Sequence, residues 1–145
     1  KVPGVIEGEA LKVLAKTGGN PQAQDMTGFG DQWSGDAHLW WTDARPGDRL
    51  ELALPVEATG RYDISAQLTK ARDYGIVQLW LDGKKLGDPI DLYDANVVPL
   101  SGVKLGRHDL ATGQHKLTLE ITGANAKAVP SFMFGLDYVK LVPIK

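Results

Sequence analysis

A chain of 145 residues has room for one domain with one ordinary core, and too little for two catalytic domains. Sixteen basic against 18 acidic residues leave a formal charge of −2, which gives no electrostatic footprint for nucleic acid. The 43% hydrophobic content comes in short pieces, none near the roughly 18–20 apolar residues of a membrane span, and the absence of cysteine removes disulfides, thiol nucleophiles and cysteine-type zinc sites together. The opening "KVPGVIEGE" lacks the apolar core of a signal peptide. That points to a processed chain or, preferably, a piece of a longer protein.

The dominant period along the chain is two, the sign of half-buried strands. A first strand at 4–9 places Glu7 and Glu9 on one face with Gly8 between them. A second follows at 11–16. Residues 16–35 show no strand pattern, yet "DMTGFGDQW" is too rich in large apolar groups for a linker. It is expected to be ordered and packed on one edge. A strand at 37–42 sets Leu39 and Trp41 toward the interior and His38 and Trp40 on the other face. Trp33, in the loop before it, either caps the fold or lines a cleft.

"DRLELALPV" aligns Leu50, Leu52, Leu54 and Val56, and "GRYDISAQLT" aligns Tyr62, Ile64, Ala66 and Leu68. These two runs read as an antiparallel pair. "GIVQLWLDG" puts Val77, Leu79 and Leu81 opposite Gln78 and Trp80, then stops at Asp82-Gly83, a strong hairpin signal. Short strands at 90–93 and 103–110 precede "GQHKLTLEITG", where His115, Leu117, Leu119 and Ile121 face inward, and the apolar, aromatic "SFMFGLDYVKLVP" ends the series. About ten strands with little or no helix predict an all-β fold over 1–145, an antiparallel β-sandwich of jelly-roll type.

Several residues have chemical potential. Adjacent carboxylates at Glu7 and Glu9 repel unless water or a cation separates them, and a hard, oxygen-seeking ion such as calcium would reconcile them given a third ligand. Asp137, an acid in a strand otherwise suited to burial, offers it. The plainer alternative leaves both glutamates in water and Asp137 at a strand edge. Sugars lie well on exposed aromatic rings beside polar groups, so Trp40 and Trp80 are candidate platforms, or else they cover a small second core. Arg72, Asp73 and Tyr74, with Tyr93 in "DLYDAN", sit in loops that reach an end of the sandwich. There they either bond sugar hydroxyls or form a weak Arg72–Asp73 ion pair beside a plugging tyrosine. No catalytic constellation stands out: His38, His108 and His115 are scattered, His115 reads as a core residue, and His108 and Asp109 point to opposite faces. An enzyme is therefore not expected.

The ordered set "IEGE", "GRYDI", "VQLWLDG", "GQHKLTL" and "GLDYVKL" resembles carbohydrate-binding modules of families 6 and 35 and their relatives. The longer pattern "QDM…W…WW…RPGD…TKARDYG…DLY…GLDY" also resembles small β-domains appended to bacterial DUF2961-type glycoside hydrolases. The resemblance implies a galactose-binding-like β-jelly roll, non-catalytic, joined to an extracellular or periplasmic carbohydrate-active enzyme and directing it to poly- or oligosaccharide. It also implies a structural calcium on Glu7, Glu9 and Asp137. The ligand-binding candidates are then Trp33, Trp40, Arg72, Asp73, Tyr74, Trp80 and Tyr93. The competing reading is an architectural domain that packs its aromatic face on a catalytic domain or on another copy of itself.

Overall fold

The computed structural model describes all residues, 1–145. Twelve strands follow one another as β1 (Val5–Glu7), β2 (Val13–Lys16), β3 (Asn20–Asp25), β4 (Ala37–Thr42), β5 (Arg49–Val56), β6 (Gly60–Lys70), β7 (Ile76–Leu81), β8 (Lys84–Lys85), β9 (Ile90–Asp91), β10 (Val98–Leu110), β11 (Gly113–Gly123) and β12 (Phe134–Pro143). Helical structure is confined to three 3-10 turns at Gly8–Ala10, Thr27–Phe29 and Ser34–Asp36, and no helix is long and apolar enough to cross a membrane.

The strands form two antiparallel sheets. In the first the order is β10-β6-β12-β4-β3, and in the second β2-β5-β11-β7-β8, with β9 also on β7. β12 pairs with β6 along one edge; along the other it pairs with β4 through Phe134–Leu136 and then with β1 through Tyr138–Lys140. The inward-facing residues of both sheets merge into one core of 27 buried side chains, in which Trp41, Leu50, Leu52, Leu68, Val77, Ile121 and Phe134 are sealed from solvent. This is the all-β jelly-roll sandwich that the alternation predicts.

Three readings of the chain need correction. β5 and β6 are consecutive but do not pair: β5 lies between β2 and β11, and β6 lies in the other sheet between β10 and β12. Residues 16–35 contain a strand, β3, which forms the edge of the first sheet on β4. Its sequence "NPQAQD" has no buried position and hence no apolar alternation, and its proline is tolerated because the strand is an edge. β1 stops at Glu7, so Glu9 belongs to the turn at Gly8–Ala10 and not to a shared strand face. The turn is forced by packing, since Gly8 lies so close to the Leu136 carbonyl that a β-carbon there would collide with it.

His115 also departs from expectation. It is half-buried at the rim of the sandwich, where Nδ1 meets Asp82 Oδ2 at 2.6 Å and Nε2 meets the Ala111 carbonyl at 2.7 Å. The Asp82 hydrogen bond holds its pKa above the usual histidine value. The Asp82-Gly83 turn itself is as predicted, closing Leu81 onto Lys84 with both turn residues at positive φ.

Candidate functional site

The loops between β4 and β5, between β6 and β7, and between β11 and β12 gather at one end of the sandwich, because β4 and β6 end where β12 begins. Residues 43–46 and 130–133 there enclose a groove of about 580 Å³, lined by Asp43, Ala44, Arg45, Ser131, Phe132 and Met133 among others. Only four non-glycine residues in the chain have positive φ, and two of them, Asp43 (61°) and Phe132 (52°), line this groove. For a phenylalanine the left-handed region is a genuine outlier, and such strain persists where the surrounding structure fixes a side chain for use. Asn20 Nδ2 donates to Asp43 Oδ2 at 3.0 Å and so braces that wall from β3.

Met133 is shared with a smaller, mostly apolar hollow of about 90 Å³ on the outside of the first sheet. Gln24, Phe29, Trp40, Asp73, Tyr74 and Val97 line it. Trp40 stands on the outer face of β4 and is half-buried, while Leu39 and Trp41 point into the core. Phe29 is 46% exposed beside it. Three residues anticipated from sequence thus meet here: Trp40, Asp73 and Tyr74. Arg72 is exposed on the same loop and Tyr93 half-buried next to it, bridged to Ala71. Arg72 and Asp73 form no ion pair; the ion pairs are Arg49–Glu120, His115–Asp82 and Lys116–Glu51.

Other candidates fall elsewhere. Trp33 is 3% exposed, and its Nε1 donates to Thr69 Oγ1 at 2.9 Å. It pins the 26–36 segment to the outside of the first sheet and presents no face to a ligand. Tyr74 is 4% exposed and part of the core, so it forms the floor of the hollow and offers no open ring. Trp80 lies on the outer face of the second sheet, away from both concavities. Arg49 and Lys85 stand 5.0 and 5.4 Å from its ring centroid, and its Nε1 donates to Glu120. Phe29 and Phe132 were not anticipated. The only sequence signals were the glycine-rich turn around Phe29 and the "VPSF" break before the last strand.

A second polar centre lies beneath the 26–36 segment. Trp33 Nε1–H donates to Thr69 Oγ1, which is 2.8 Å from His38 Nδ1, and His38 Nε2 is 2.6 Å from Gln24 Oε1. A neutral imidazole protonated at Nε2 satisfies every member. Burial lowers the His38 pKa to about 4. The unfolded chain binds this proton near pH 6.5. Stability is therefore whole above 6.5 and falls as the pH drops toward 4, by about 1.4 kcal/mol per pH unit. Asp137 acts oppositely: burial first, with the charges of Glu7 and Glu9 adding to it, pushes its pKa up to about 6 against the opposing hydrogen bonds. Protonation of Asp137 in the folded state thus offsets the His38 loss between pH 6 and 4. Urea midpoints at pH 7, 6 and 5 should therefore flatten below pH 6 in the wild type, and keep falling in Asp137→Asn. Parallel pH profiles would contradict this.

Asp137 is fully buried. It sits at a β-bulge, where the register of β12 against β6 slips between Leu136 and Tyr138, and that slip turns it outward under the loop. Both carboxylate oxygens accept from the Ser34 N–H at 3.1 Å, and Oδ2 accepts from Gln67 Nε2 at 2.7 Å. Ser34 Oγ donates to Glu7 Oε2 at 2.9 Å. Glu7 Oε1 and Glu9 Oε1 are buried without any hydrogen-bond partner, and burial raises the Glu9 pKa. No three acidic or histidine side chains are arranged as a ready metal cage. Even so, two orphaned, buried carboxylate oxygens near a third carboxylate have the donor chemistry of a hard cation site.

The two sheets and their strand order define an antiparallel β-jelly roll. No protein-family model and no curated protein matches the sequence. Among solved structures, the chain is similar to part of a xanthan lyase from Paenibacillus, with 25% identity and a TM-score of 0.79 over 99% of this chain and 13% of that one. It also resembles the CBM36-1 domain of a multidomain xylanase from the hindgut metagenome of Trinervitermes trinervoides (14% identity, TM-score 0.58, 97% of each chain). A family 35 carbohydrate-binding module from Clostridium thermocellum has 11% identity and a TM-score of 0.55 over 99% of this chain and 100% of that one.

Proposed function

We propose that the chain is a non-catalytic glycan-binding module that holds an attached carbohydrate-active enzyme, outside the cell or in the periplasm, on poly- or oligosaccharide. The observation that carries this reading is the loop-end groove in which Phe132 and Asp43 are both held at positive φ. It offers an aromatic ring, an arginine, a carboxylate and a serine in one concavity, the combination that sugar recognition uses. The fold shared with the modules above supports it. Phe29 and Trp40 extend the apolar surface next to the groove. Arg72, Asp73 and Tyr93 supply polar contacts at its margin. Affinity in the micromolar to millimolar range, about 4–8 kcal/mol, suits such a shallow site.

In the same proposal calcium joins Glu7, Glu9 and Asp137, with the unpartnered oxygens of the two glutamates as its support. When bound, calcium would be held by these three side chains and would offset two of their three negative charges, linking the β1 end of the chain to β12.

Affinity electrophoresis against a panel of soluble neutral polysaccharides tests the reading. At least one should retard the domain, and Phe132→Ala or Trp40→Ala should weaken binding about 5–30-fold, the equivalent of roughly 1–2 kcal/mol for a central aromatic contact. If no glycan retards the domain while it self-associates or binds an enzyme partner, the architectural reading replaces this one.

A further inference from the structure

On the outside of the first sheet, away from the loop-end groove, β10, β6 and β12 frame a groove of about 490 Å³ whose character is cationic. Strand register fixes its layout. Lys104, Ser65 and Lys140 form one row across the three strands, and Arg107, Asp63 and Val142 the next. All three cations are exposed and none takes part in an ion pair. A chain of net charge −2 thus collects three unpaired cations around one carboxylate.

Edge protection does not account for this arrangement. Lysines blunt exposed strand edges, which would suit Lys104 on β10, but Lys140 lies on β12 between β1 and β6. Register shifts on both sides of Lys104, between Leu100 and Val103 and between Lys104 and Gly106, bend the edge strand and re-aim its side chains. Two strand spacings separate the lysines by about 10 Å. The two rows present positive charge at intervals across the face, a layout suited to charge repeated along a chain. Tyr138 stands two residues before Lys140 on the same face of β12 and is only partly buried.

We infer that this face is a second binding site, for a polysaccharide carrying carboxylate groups, with Lys104, Lys140 and Arg107 meeting its charges. The class of polymer rests on the glycan-binding reading; the site does not depend on the loop-end groove. The test titrates the domain at low salt with short oligogalacturonate and oligomannuronate, with their carboxyl-reduced counterparts, and with a neutral oligosaccharide that the domain binds. Lys104→Gln/Lys140→Gln, at two exposed positions, should weaken binding of at least one acidic oligomer tenfold or more while leaving the melting temperature and the neutral ligand unaffected. Phe132→Ala should do the reverse. A wild-type domain that binds an acidic oligomer through the two lysines, but no neutral oligosaccharide, would sink the loop-end site and leave this one standing. The inference is overturned if neither acidic oligomer binds, if the carboxyl-reduced forms bind equally well, or if the double variant binds undiminished. It is also overturned if polyuridylate binds as tightly through the same lysines, which would mark a general polyanion surface.

Discussion

Asp137→Ala should cost about 2–5 kcal/mol of stability, since it strands the Ser34 N–H and the Gln67 amide under the 26–36 segment at roughly 1–3 kcal/mol for each buried donor left unpaired. Against a total of 5–15 kcal/mol for a typical domain, that is enough to shift a urea midpoint far to lower concentration. The reason is geometric. The bulge in β12 aims the carboxylate at the loop, and through Ser34 it reaches Glu7 on β1, so one side chain fastens three parts of the chain. Asp137→Asn retains an acceptor for Ser34 and sheds a charge that Glu7 and Glu9 oppose, so it should lose less. An alanine variant within about 0.5 kcal/mol of wild type, the range of an unremarkable surface change, would mean the carboxylate holds nothing.

Chelation is the second large effect. With free calcium at a hundred times its dissociation constant, mass action adds about 2.7 kcal/mol to the native state, a rise in melting temperature of roughly 5–11 °C for a chain of this size. A chelator should remove that rise. Glu7→Gln/Glu9→Gln should abolish the response to calcium, yet in chelator melt no lower than wild type, because two carboxylates that each bury one unpartnered oxygen then no longer repel, and an amide carbonyl at position 7 can still accept from Ser34. An unchanged midpoint on chelation would remove calcium from the proposal and leave Asp137 as a purely hydrogen-bonded clamp.

Much of this fold was legible because strand alternation reports which side of a strand is buried. It placed Leu39 and Trp41 inside and Trp40 outside, and it separated Val77, Leu79 and Leu81 from Trp80. Alternation does not report which of two inner faces a strand supplies. A sandwich has two, so β5 and β6 looked like partners although they belong to opposite sheets. β3 escaped because an edge strand with no buried residue has no pattern to read. The bulge at Asp137 shifts the phase of β12, so that Leu136 and Val139 both face the core, which a strict period of two does not foresee.

The candidate site was legible only in part. Trp40, Asp73 and Tyr74 are found together because the β6–β7 loop does reach the end of the sandwich. Trp33 left two readings open, a cap or a cleft wall, because the Thr69 hydroxyl that fixes it as a cap lies 36 residues away. Phe132 went unnoticed because its role depends on a backbone angle and on a groove wall supplied by residues 43–46.

Amide chemical shifts of the isotope-labelled domain, followed through titration with neutral gluco-, xylo- and manno-oligosaccharides, test the central claim most directly. At least one sugar should move the signals of residues 43–45, 73 and 131–133 together, in a saturable manner that Phe132→Ala abolishes. Saturable shifts confined to other parts of the surface, or none with any sugar, would contradict recognition at the loop end.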